Sequence, residues 1–308
     1  MSQFEHISVI VQGPVQNTPD RTHHEAGITQ RCLSSIRTFL PGARIILSTW
    51  ANQDLTGLEY DELVISDDPG QNTDGFCPKN YYRQITSSKA GLSRVTTPYA
   101  VKLRTDNFLI GNEFVALQQQ YPANNPADKL FTEKVVINAN LFRKSSHGRD
   151  VIMSPSDFFY FGRTEDLNKI WQQPPFLEQS FAQQLLEKHR RKQGRFPLEA
   201  EQAYCQIWLR RLTEQVPLMA HRFDHRAPDL LFWQRFLASN IVIVEPEIMG
   251  LGLRKISQRK FKRANEFSHI DWLKLYKTHC DSTVHIPFTL EQLRLSLVRL
   301  VKNCRPIK

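Results

Sequence analysis

Polar side chains follow several apolar, β-prone runs of this chain, and their types suit the binding of a phosphorylated ligand. One run, Tyr99 to Leu103, is followed directly by Arg104 and Asp106 with one threonine between them. Ligands of open α/β sheets lie beyond the carboxyl ends of the strands. A carboxylate at that place could hold a divalent metal ion against a phosphate. The alternative is that the acid simply begins a turn, as Asp and Asn often do.

Further polar side chains follow the first and third predicted strands or lie on the helix after them. They are Gln12, Gly13, Asp67, Asp68, Asn80, Arg83, Gln84 and Ser87. The helical members could form an ordinary solvated face. They are not the usual Glu and Lys mixture, however, and they could hydrogen-bond a ligand and leave space for it. Together with Arg104 and one metal ion, such a set could grip a nucleotide diphosphate and stabilise it as a leaving group.

Transfer of a group to a hydroxyl also needs a carboxylate that removes the proton. The candidates are Asp157, Glu199 and Glu201. The two glutamates could instead be partners of a helix dipole, and Asp157 could be a turn or cap residue. Glu201 lies near a predicted helix start, which predicts a low pKa and an ionised side chain. We favour Glu201 over Asp157 as the base.

Several well-defined kinds of site are absent from the sequence. It contains no nucleophile elbow, P-loop, HExxH or GxGxxG motif, and its histidines do not recur at metal-ligand spacing. The five cysteines are scattered without a CxxC pair, so neither a zinc site nor a disulfide framework is indicated. A reducing compartment such as the cytoplasm is expected.

The chain of 308 residues has a formal net charge of +9 and a pI near 9.4. This excess favours anionic partners, namely nucleotides, nucleic acid, phosphorylated sugars or an anionic membrane surface. The first residues do not read as a signal peptide, and no apolar run approaches the length of a membrane span. The protein is expected to be soluble or attached peripherally.

The apolar periodicity predicts an α/β sheet with crossover helices. Strands are predicted at residues 6–12, 43–48, 62–66, 99–103, 134–139, 157–162 and 241–244. Helices are predicted at residues 26–40, 79–95, 176–191 and 197–212, and a last one begins with a capping box at Thr289.

No repeat or low-complexity linker divides the chain. We predict one domain at residues 1–250 and a basic, helical extension at residues 251–308 that packs on it. The run 253–263 has six basic residues and no acid, so it is either solvated or faces phosphate or membrane. The last helix is apolar at Leu293, Leu297, Leu300 and Val301. It could lie on anionic lipid, although such a helix more often packs on its own domain.

Five segments in order resemble the WavE lipopolysaccharide-synthesis family. They are SVIVQGPV (8–15), RCLSSIRTFLPGARIILSTW (31–50), NYYRQITSSKAGL (80–92), YAVKLRTDN (99–107) and SDFFYFG (156–162). The helix that contains Glu201 extends the likeness to about residue 212. The C-terminal third matches little of the pattern.

The resemblance implies a glycosyltransferase of the GT-A type, with a Rossmann-like nucleotide-sugar domain and a mostly parallel sheet. It further implies a divalent metal (Mn²⁺ or Mg²⁺), a nucleotide-diphosphate sugar donor and a lipopolysaccharide core acceptor at the cytoplasmic side of the inner membrane. By position, the nucleotide would be held by Gln12, Gly13, Asp67, Arg83 and Gln84. The metal would be held by Asp106. The usual metal motif is Asp-x-Asp, whereas this chain has Arg104 at the first position, and its guanidinium could itself neutralise diphosphate charge.

Two other functions fit parts of the pattern. A nucleotidyltransferase that charges a sugar phosphate also needs a metal and a basic pocket. A basic module that binds nucleic acid fits the net charge. The chain has no nucleic-acid motif, and acids at strand ends would repel phosphate without a metal, so no nucleic-acid partner is expected.

Overall fold

The structure is a computed structural model that describes residues 3–16, 27–71, 80–192, 195–254 and 264–303. The strands are β1 (Ile7–Gln12), β2 (Arg44–Trp50), β3 (Glu62–Ser66), β4 (Tyr99–Arg104), β5 (Asn107–Leu109), β6 (Val135–Asn138), β7 (Ser145–Ser146), β8 (Arg149–Asp150), β9 (Phe159–Arg163), β10 (Ile241–Val244) and β11 (Leu251–Leu253). The helices are α1 (Ile28–Phe39), α2 (Tyr81–Leu92), α3 (Glu113–Gln120), α4 (Thr164–Trp171), α5 (Ala182–Arg191), α6 (Ala200–Arg210), α7 (Ala227–Asn240), α8 (Pro246–Met249), α9 (His269–His279) and α10 (Leu290–Asn303), with a 3₁₀ turn at Phe176–Glu178.

A seven-stranded sheet forms the centre of the described structure, in the order β10-β6-β9-β4-β1-β2-β3. Its neighbours are parallel except at β9, which runs antiparallel to both β4 and β6. A mostly parallel sheet is buried on both faces by helices, so its strands are continuous apolar runs. The predicted α/β fold class is confirmed, and the seven predicted strands are the seven strands of this sheet.

The strand register brings distant polar residues to one edge of the sheet. Gln12, the last residue of β1, is paired with Arg104 of β4 on one side and with Ser48 of β2 on the other. All six residues of β1 are buried, and four of them, Ile7, Val9, Ile10 and Val11, are β-branched residues that favour a strand covered by helices. The carboxyl ends of β1, β2 and β4 therefore meet at one place.

The helix α2 lies close against β1 because it carries Gly91. A Cβ atom at Gly91 would lie 2.2 Å from Cγ2 of Ile10, so a larger residue would push the helix away from the strand. This contact fixes the distance between the polar side of α2 and the carboxyl end of β1.

The helix predictions were less accurate than the strand predictions. The helix predicted at residues 176–191 is a 3₁₀ turn followed by α5, and α3, α4, α7 and α9 were not predicted. The helix predicted at residues 26–40 is α1, although its first predicted residue lies outside the described residues. In the basic run 253–263, residues 255–263 also lie outside them.

Residues beyond position 250 contribute to the fold as well. β11 pairs with β5 in a small antiparallel sheet, and α9 packs on α7 and β10. The domain boundary at residue 250 stays a prediction. In the described part of the chain, none of the helices combines the length and apolar character that crossing a membrane requires.

Candidate functional site

A cavity of about 600 Å³ lies at the carboxyl edge of the sheet, between the ends of β1, β2 and β4, the helix α2 and the start of α6. Ten of the predicted site residues line it: Gln12, Gly13, Asn80, Arg83, Gln84, Ser87, Arg104, Asp106, Asp157 and Glu201. A cavity of this size accommodates a ligand of several hundred daltons. Their functional roles stay predictions.

A tight turn after β1 shapes the floor of the cavity. Gly13 has φ +120°, and a Cβ atom there would lie 3.1 Å from Oγ1 of Thr105. That hydroxyl donates to the carbonyl of Pro14 at 2.7 Å. The ends of β1 and β4 are thus locked together, and only glycine adopts the required backbone without strain.

The polar side of α2 is tied to the same floor. Oγ of Ser87 donates to Oε1 of Gln12 at 2.7 Å, and Oγ of Ser48 donates to the carbonyl of Ser87 at 2.7 Å. All three side chains are buried. The small serine on α2 therefore helps to hold the Gln12 amide at the cavity wall.

Arg104 joins two buried carboxylates at the end of β4. Its Nε and Nη2 donate to the two oxygens of Asp106 at 2.9 and 3.0 Å, and its Nη1 donates to Oδ2 of Asp157 at 3.3 Å. The guanidinium also lies 4.9 Å from the ring centre of Phe158. Three of its five N–H groups donate to these carboxylates, and the other two have no acceptor among the described residues.

Asp157 is held from several sides. Nε2 of Gln84 donates to its carboxylate at 2.8 Å and to its carbonyl at 3.1 Å. The ammonium of Lys102, which is fully buried, donates to the same carbonyl and lies 4.5 Å from the ring centre of Trp171. Burial lowers the pKa of Lys102 to about 7. These contacts give Asp157 one defined position beside Arg104.

Glu201 lies in the first turn of α6 and has no hydrogen bond or ion pair with any other residue that the structure describes. Burial, and secondly the negative charge of Asp157, raise its pKa to about 7. The predicted low pKa was therefore wrong, because desolvation and a like charge outweigh the helix dipole here. A carboxylate with this pKa is matched to proton transfer near neutral pH.

Glu199, two residues earlier, has a structural role. It is the N-cap of α6 and forms a capping box with Gln202. Its carboxylate also pairs with Arg143 at 3.3 Å and Arg222 at 3.4 Å. It does not line the cavity, and its contacts fix the start of the helix that presents Glu201.

Two predicted site residues, Asp67 and Asp68, do not line the cavity and are exposed. They follow β3, which is the edge strand of the sheet and is separated from β1 by β2. Asp68 instead binds Nε and Nη2 of Arg83 at 2.6 and 2.8 Å, and these hydrogen bonds lower its pKa. Asp68 therefore orients Arg83 from outside, whereas Asp67 contributes nothing to the wall.

A divalent metal at this site stays a prediction. No group of three or more His, Cys, Asp or Glu side chains that could hold an ion occurs within the described residues. The described lining nevertheless has three carboxylates (Asp106, Asp157 and Glu201) against two guanidiniums. A diphosphate would enter a site with excess negative charge, and Mg²⁺ is often bound by one or two carboxylates plus substrate phosphates.

Sequence reasoning did not identify several residues of the wall: Pro14, Gln16, Trp50, Tyr81, Thr105 and Ala200. Trp50 ends β2, two residues beyond the predicted end of that strand. A residue at the carboxyl end of a strand is a candidate for the cavity wall. Trp50 was missed because the predicted strand stopped at Ser48. Tyr81 packs on Tyr204 with ring centres 5.1 Å apart, so it joins α2 to α6.

Residues 7–304 match the model of the family described as WavE lipopolysaccharide synthesis. The chain belongs to this family. The resemblance seen in the five segments is confirmed, and the family match extends through the C-terminal third. Membership gives the protein a role in lipopolysaccharide synthesis.

No curated protein sequence matches the chain. Among solved structures, it is similar to the crystal structure of 4-diphosphocytidyl-2C-methyl-D-erythritol synthase from Anaerococcus prevotii, with 14% identity and a TM-score of 0.34. The similarity covers 60% of this chain and 83% of that chain. At this level it carries no argument about the function of the site.

Proposed function

We propose that this protein is a glycosyltransferase that moves a sugar from a nucleotide-diphosphate donor to the core oligosaccharide of lipopolysaccharide. The observation that carries the proposal is Glu201, a carboxylate without a partner among the described residues and with a pKa of about 7. It shares its cavity with Arg83 and Arg104. Family membership supplies the biosynthetic context.

The donor binds with its diphosphate near the two arginines. Arg104 keeps two N–H groups for phosphate oxygens after its three bonds to Asp106 and Asp157. Gln12 and Asn80 line the same wall and supply neutral hydrogen-bonding groups. Trp50 offers an aromatic face on which a nucleobase can stack.

A divalent metal, Mn²⁺ or Mg²⁺, is part of the proposal. Asp106, with Asp157 beside it, would hold the ion. When bound, it supplies positive charge that neutralises the diphosphate as it leaves.

Glu201 acts as the general base. It takes the proton of an acceptor hydroxyl, whose oxygen forms a bond to the anomeric carbon of the donor sugar. The bond from that carbon to the diphosphate oxygen breaks, and the nucleoside diphosphate leaves with the electron pair. Arg104 stabilises the developing charge. Asp157 positions Arg104, because both Gln84 and Arg104 donate to its Oδ2. A single base on one side of the sugar gives inversion of the anomeric configuration.

The acceptor is attached to lipid, so the reaction takes place at a membrane surface, which we infer to be the cytoplasmic face of the inner membrane. The role of the family in lipopolysaccharide synthesis motivates this inference, and the basic pI near 9.4 suits an anionic surface.

The test measures the product. Nucleotide sugars are first screened by thermal shift with and without Mn²⁺, since a ligand of the native state raises the apparent stability. Donors that bind are then incubated with delipidated core oligosaccharide, and we expect release of nucleoside diphosphate and a core that has gained one sugar. Release of pyrophosphate from a nucleoside triphosphate and a sugar phosphate, without transfer to the core, would instead identify a nucleotidyltransferase.

A further inference from the structure

The last helix, α10, packs its polar side on the protein and exposes its apolar side. Five residues, Leu290, Leu293, Leu297, Leu300 and Val301, are between 46% and 77% exposed. Leu295 is the one leucine of α10 that is buried. An ordinary surface helix has the opposite orientation, with its apolar face on the core. The helix does pack on its own domain, but its main apolar face takes no part.

Arg299 fixes this orientation. Its Nη1 and Nη2 donate to the two oxygens of Asp271 at 2.9 and 2.8 Å. Its Nε and Nη2 also donate to the carbonyls of Ala264 and Glu266, each at 2.8 Å. Lys144 reaches Asp271 at 2.7 Å. This buried polar network holds the apolar face outward, because rotation of α10 would break the hydrogen bonds of Arg299 to Asp271 and to the two carbonyls.

Five of the six exposed apolar residues of α10 form one continuous face, and the sixth, Val298, lies outside it and is 37% exposed. At about 100° per residue these five share an arc roughly 100° wide, on the side opposite Arg299, along a helix about 20 Å long. Phe288, just before the helix, is 78% exposed. No described segment covers this face. Leaving so much leucine and valine surface in water is unfavourable.

The charge pattern on α10 selects the occupant of this face. Arg294 is exposed and projects beside the apolar arc, which contains no acid. Packing against a second copy about a two-fold axis would bring the two Arg294 side chains towards each other. The anionic headgroups of a bilayer would instead attract Arg294 while the leucines enter the acyl boundary.

We propose that α10 docks this protein on an anionic bilayer surface, with its five apolar side chains at the headgroup boundary and Arg294 among the headgroups. The inference rests on the proposed function only in that a lipid-linked acceptor supplies the bilayer.

The experiment uses the full chain and vesicle flotation. Vesicles of phosphatidylethanolamine with phosphatidylglycerol are compared with vesicles of phosphatidylcholine alone. We expect the protein to float with the anionic vesicles at least about tenfold more strongly. The triple variant Leu293→Ser, Leu297→Ser, Leu300→Ser should lose this binding, and Arg294→Glu should weaken it on anionic vesicles.

A matched control removes the same apolar groups elsewhere. Leu177, Leu231 and Ile248 are between 45% and 55% exposed and lie outside α10. Their triple substitution to serine should leave flotation unchanged. Both triple variants should keep the melting temperature and the transfer to delipidated core oligosaccharide, since neither alters the cavity.

Three outcomes would overturn the proposal: no preference of the wild type for anionic vesicles, unchanged flotation of the α10 triple variant, or equal loss in the control. A dimer in solution that disappears in the α10 variant would also overturn it and identify the face as an interface between copies. If the wild type floats as expected but transfers no sugar to the soluble core, only the proposed function fails.

Discussion

Two buried arginine–aspartate pairs of this protein have nearly the same geometry and different surroundings. Arg104 binds both oxygens of Asp106 at 2.9 and 3.0 Å, and Arg299 binds both oxygens of Asp271 at 2.9 and 2.8 Å. The side chains of the two aspartates are 4% and 3% exposed. The first pair lines the cavity, and the second fastens α10 to the protein.

The difference lies in the charges around each pair. Near Arg104, the carboxylates of Asp157 and Glu201 add negative charge. Burial, and secondly the charge of Asp157, raise the pKa of Glu201. Around Asp271, Lys144 adds a second cation, and Arg299 gives two further N–H groups to backbone carbonyls. The cavity pair thus differs from the α10 pair in the unbalanced charge around it and in two N–H groups that have no acceptor among the described residues, and such features occur often at functional sites.

The largest expected effect concerns Glu201, the carboxylate of the cavity that has no partner among the described residues. Glu201→Gln keeps the shape but cannot accept a proton, so transfer should fall about 100- to 10,000-fold, with donor affinity unchanged. Wild-type activity should decrease as the pH falls below about 7, where Glu201 takes up a proton. Steady-state release of nucleoside diphosphate between pH 5.5 and 9 measures both effects.

Stability separates this role from a structural one. Since the pKa of Glu201 is higher in the native state than its ordinary value of 4.5, its ionisation lowers the stability as the pH rises through the window up to about 7. Glu201→Gln should thus be at least as stable as the wild type at pH 8. Glu199→Gln should be less stable, because it weakens a cap and two ion pairs. A Glu201→Gln variant that retains most of its activity would show that another group is the base.

The next effect compares the two arginines directly. Arg104→Met and Arg299→Met each remove the arginine partner of a buried carboxylate, which should lower the free energy of unfolding by about 3–5 kcal/mol. At Asp271, Lys144 remains and offsets part of this loss. Only Arg104→Met should also weaken binding of a nucleoside diphosphate, by roughly tenfold or more. Urea unfolding and titration calorimetry measure the two quantities.

Arg104→Lys serves as a second variant if Arg104→Met does not fold. It keeps the charge and loses the two-pronged geometry, so an intermediate affinity is expected. Equal loss of nucleotide affinity in Arg104→Met and Arg299→Met would remove the distinction between the two regions.

A smaller effect concerns acid sensitivity of the α10 region. Burial alone would raise the pKa of Asp271, but Lys144 and Arg299 outweigh it and hold this pKa well below its ordinary value. The resulting stability is present above the ordinary pKa of about 3.9 and is lost as the pH falls below it. Asp271→Asn should reduce the unfolding free energy at pH 7 by on the order of 2 kcal/mol.

Urea unfolding at pH 7 and pH 3 checks this effect. The difference in stability between the wild type and Asp271→Asn should shrink at the lower pH. A constant difference would mean that the ionised form of Asp271 is not what stabilises the native state.

The smallest effect concerns the excess negative charge near Arg104. Mn²⁺ should tighten binding of a nucleoside diphosphate by roughly tenfold relative to EDTA, and Asp106→Asn should abolish this gain. Calorimetry with the metal and nucleotide varied separately is the measurement. Equal affinity with Mn²⁺ and EDTA would leave Arg83 and Arg104 as the only cations needed, and would refute the predicted metal.

The sequence by itself determined the central sheet and much of the cavity wall. The runs that became β1 and β4 are short and mostly apolar, so the local pattern identified them and the polar residues at their ends. Gln12 and Arg104 meet because strands of one parallel sheet present their carboxyl ends at one edge. Helices such as α7 were not predicted, because their apolar residues do not follow a regular helical spacing.

Only the tertiary structure decided how the residues act. Asp157 reaches Arg104 because β9 runs antiparallel and brings its amino end to the cavity, whereas the edge position of β3 keeps Asp67 away. The raised pKa of Glu201 depends on burial and on Asp157, 44 positions away in the sequence. Burial and electrostatic neighbours are properties of three-dimensional packing, and for the same reason the sequence did not reveal that α10 exposes its apolar face.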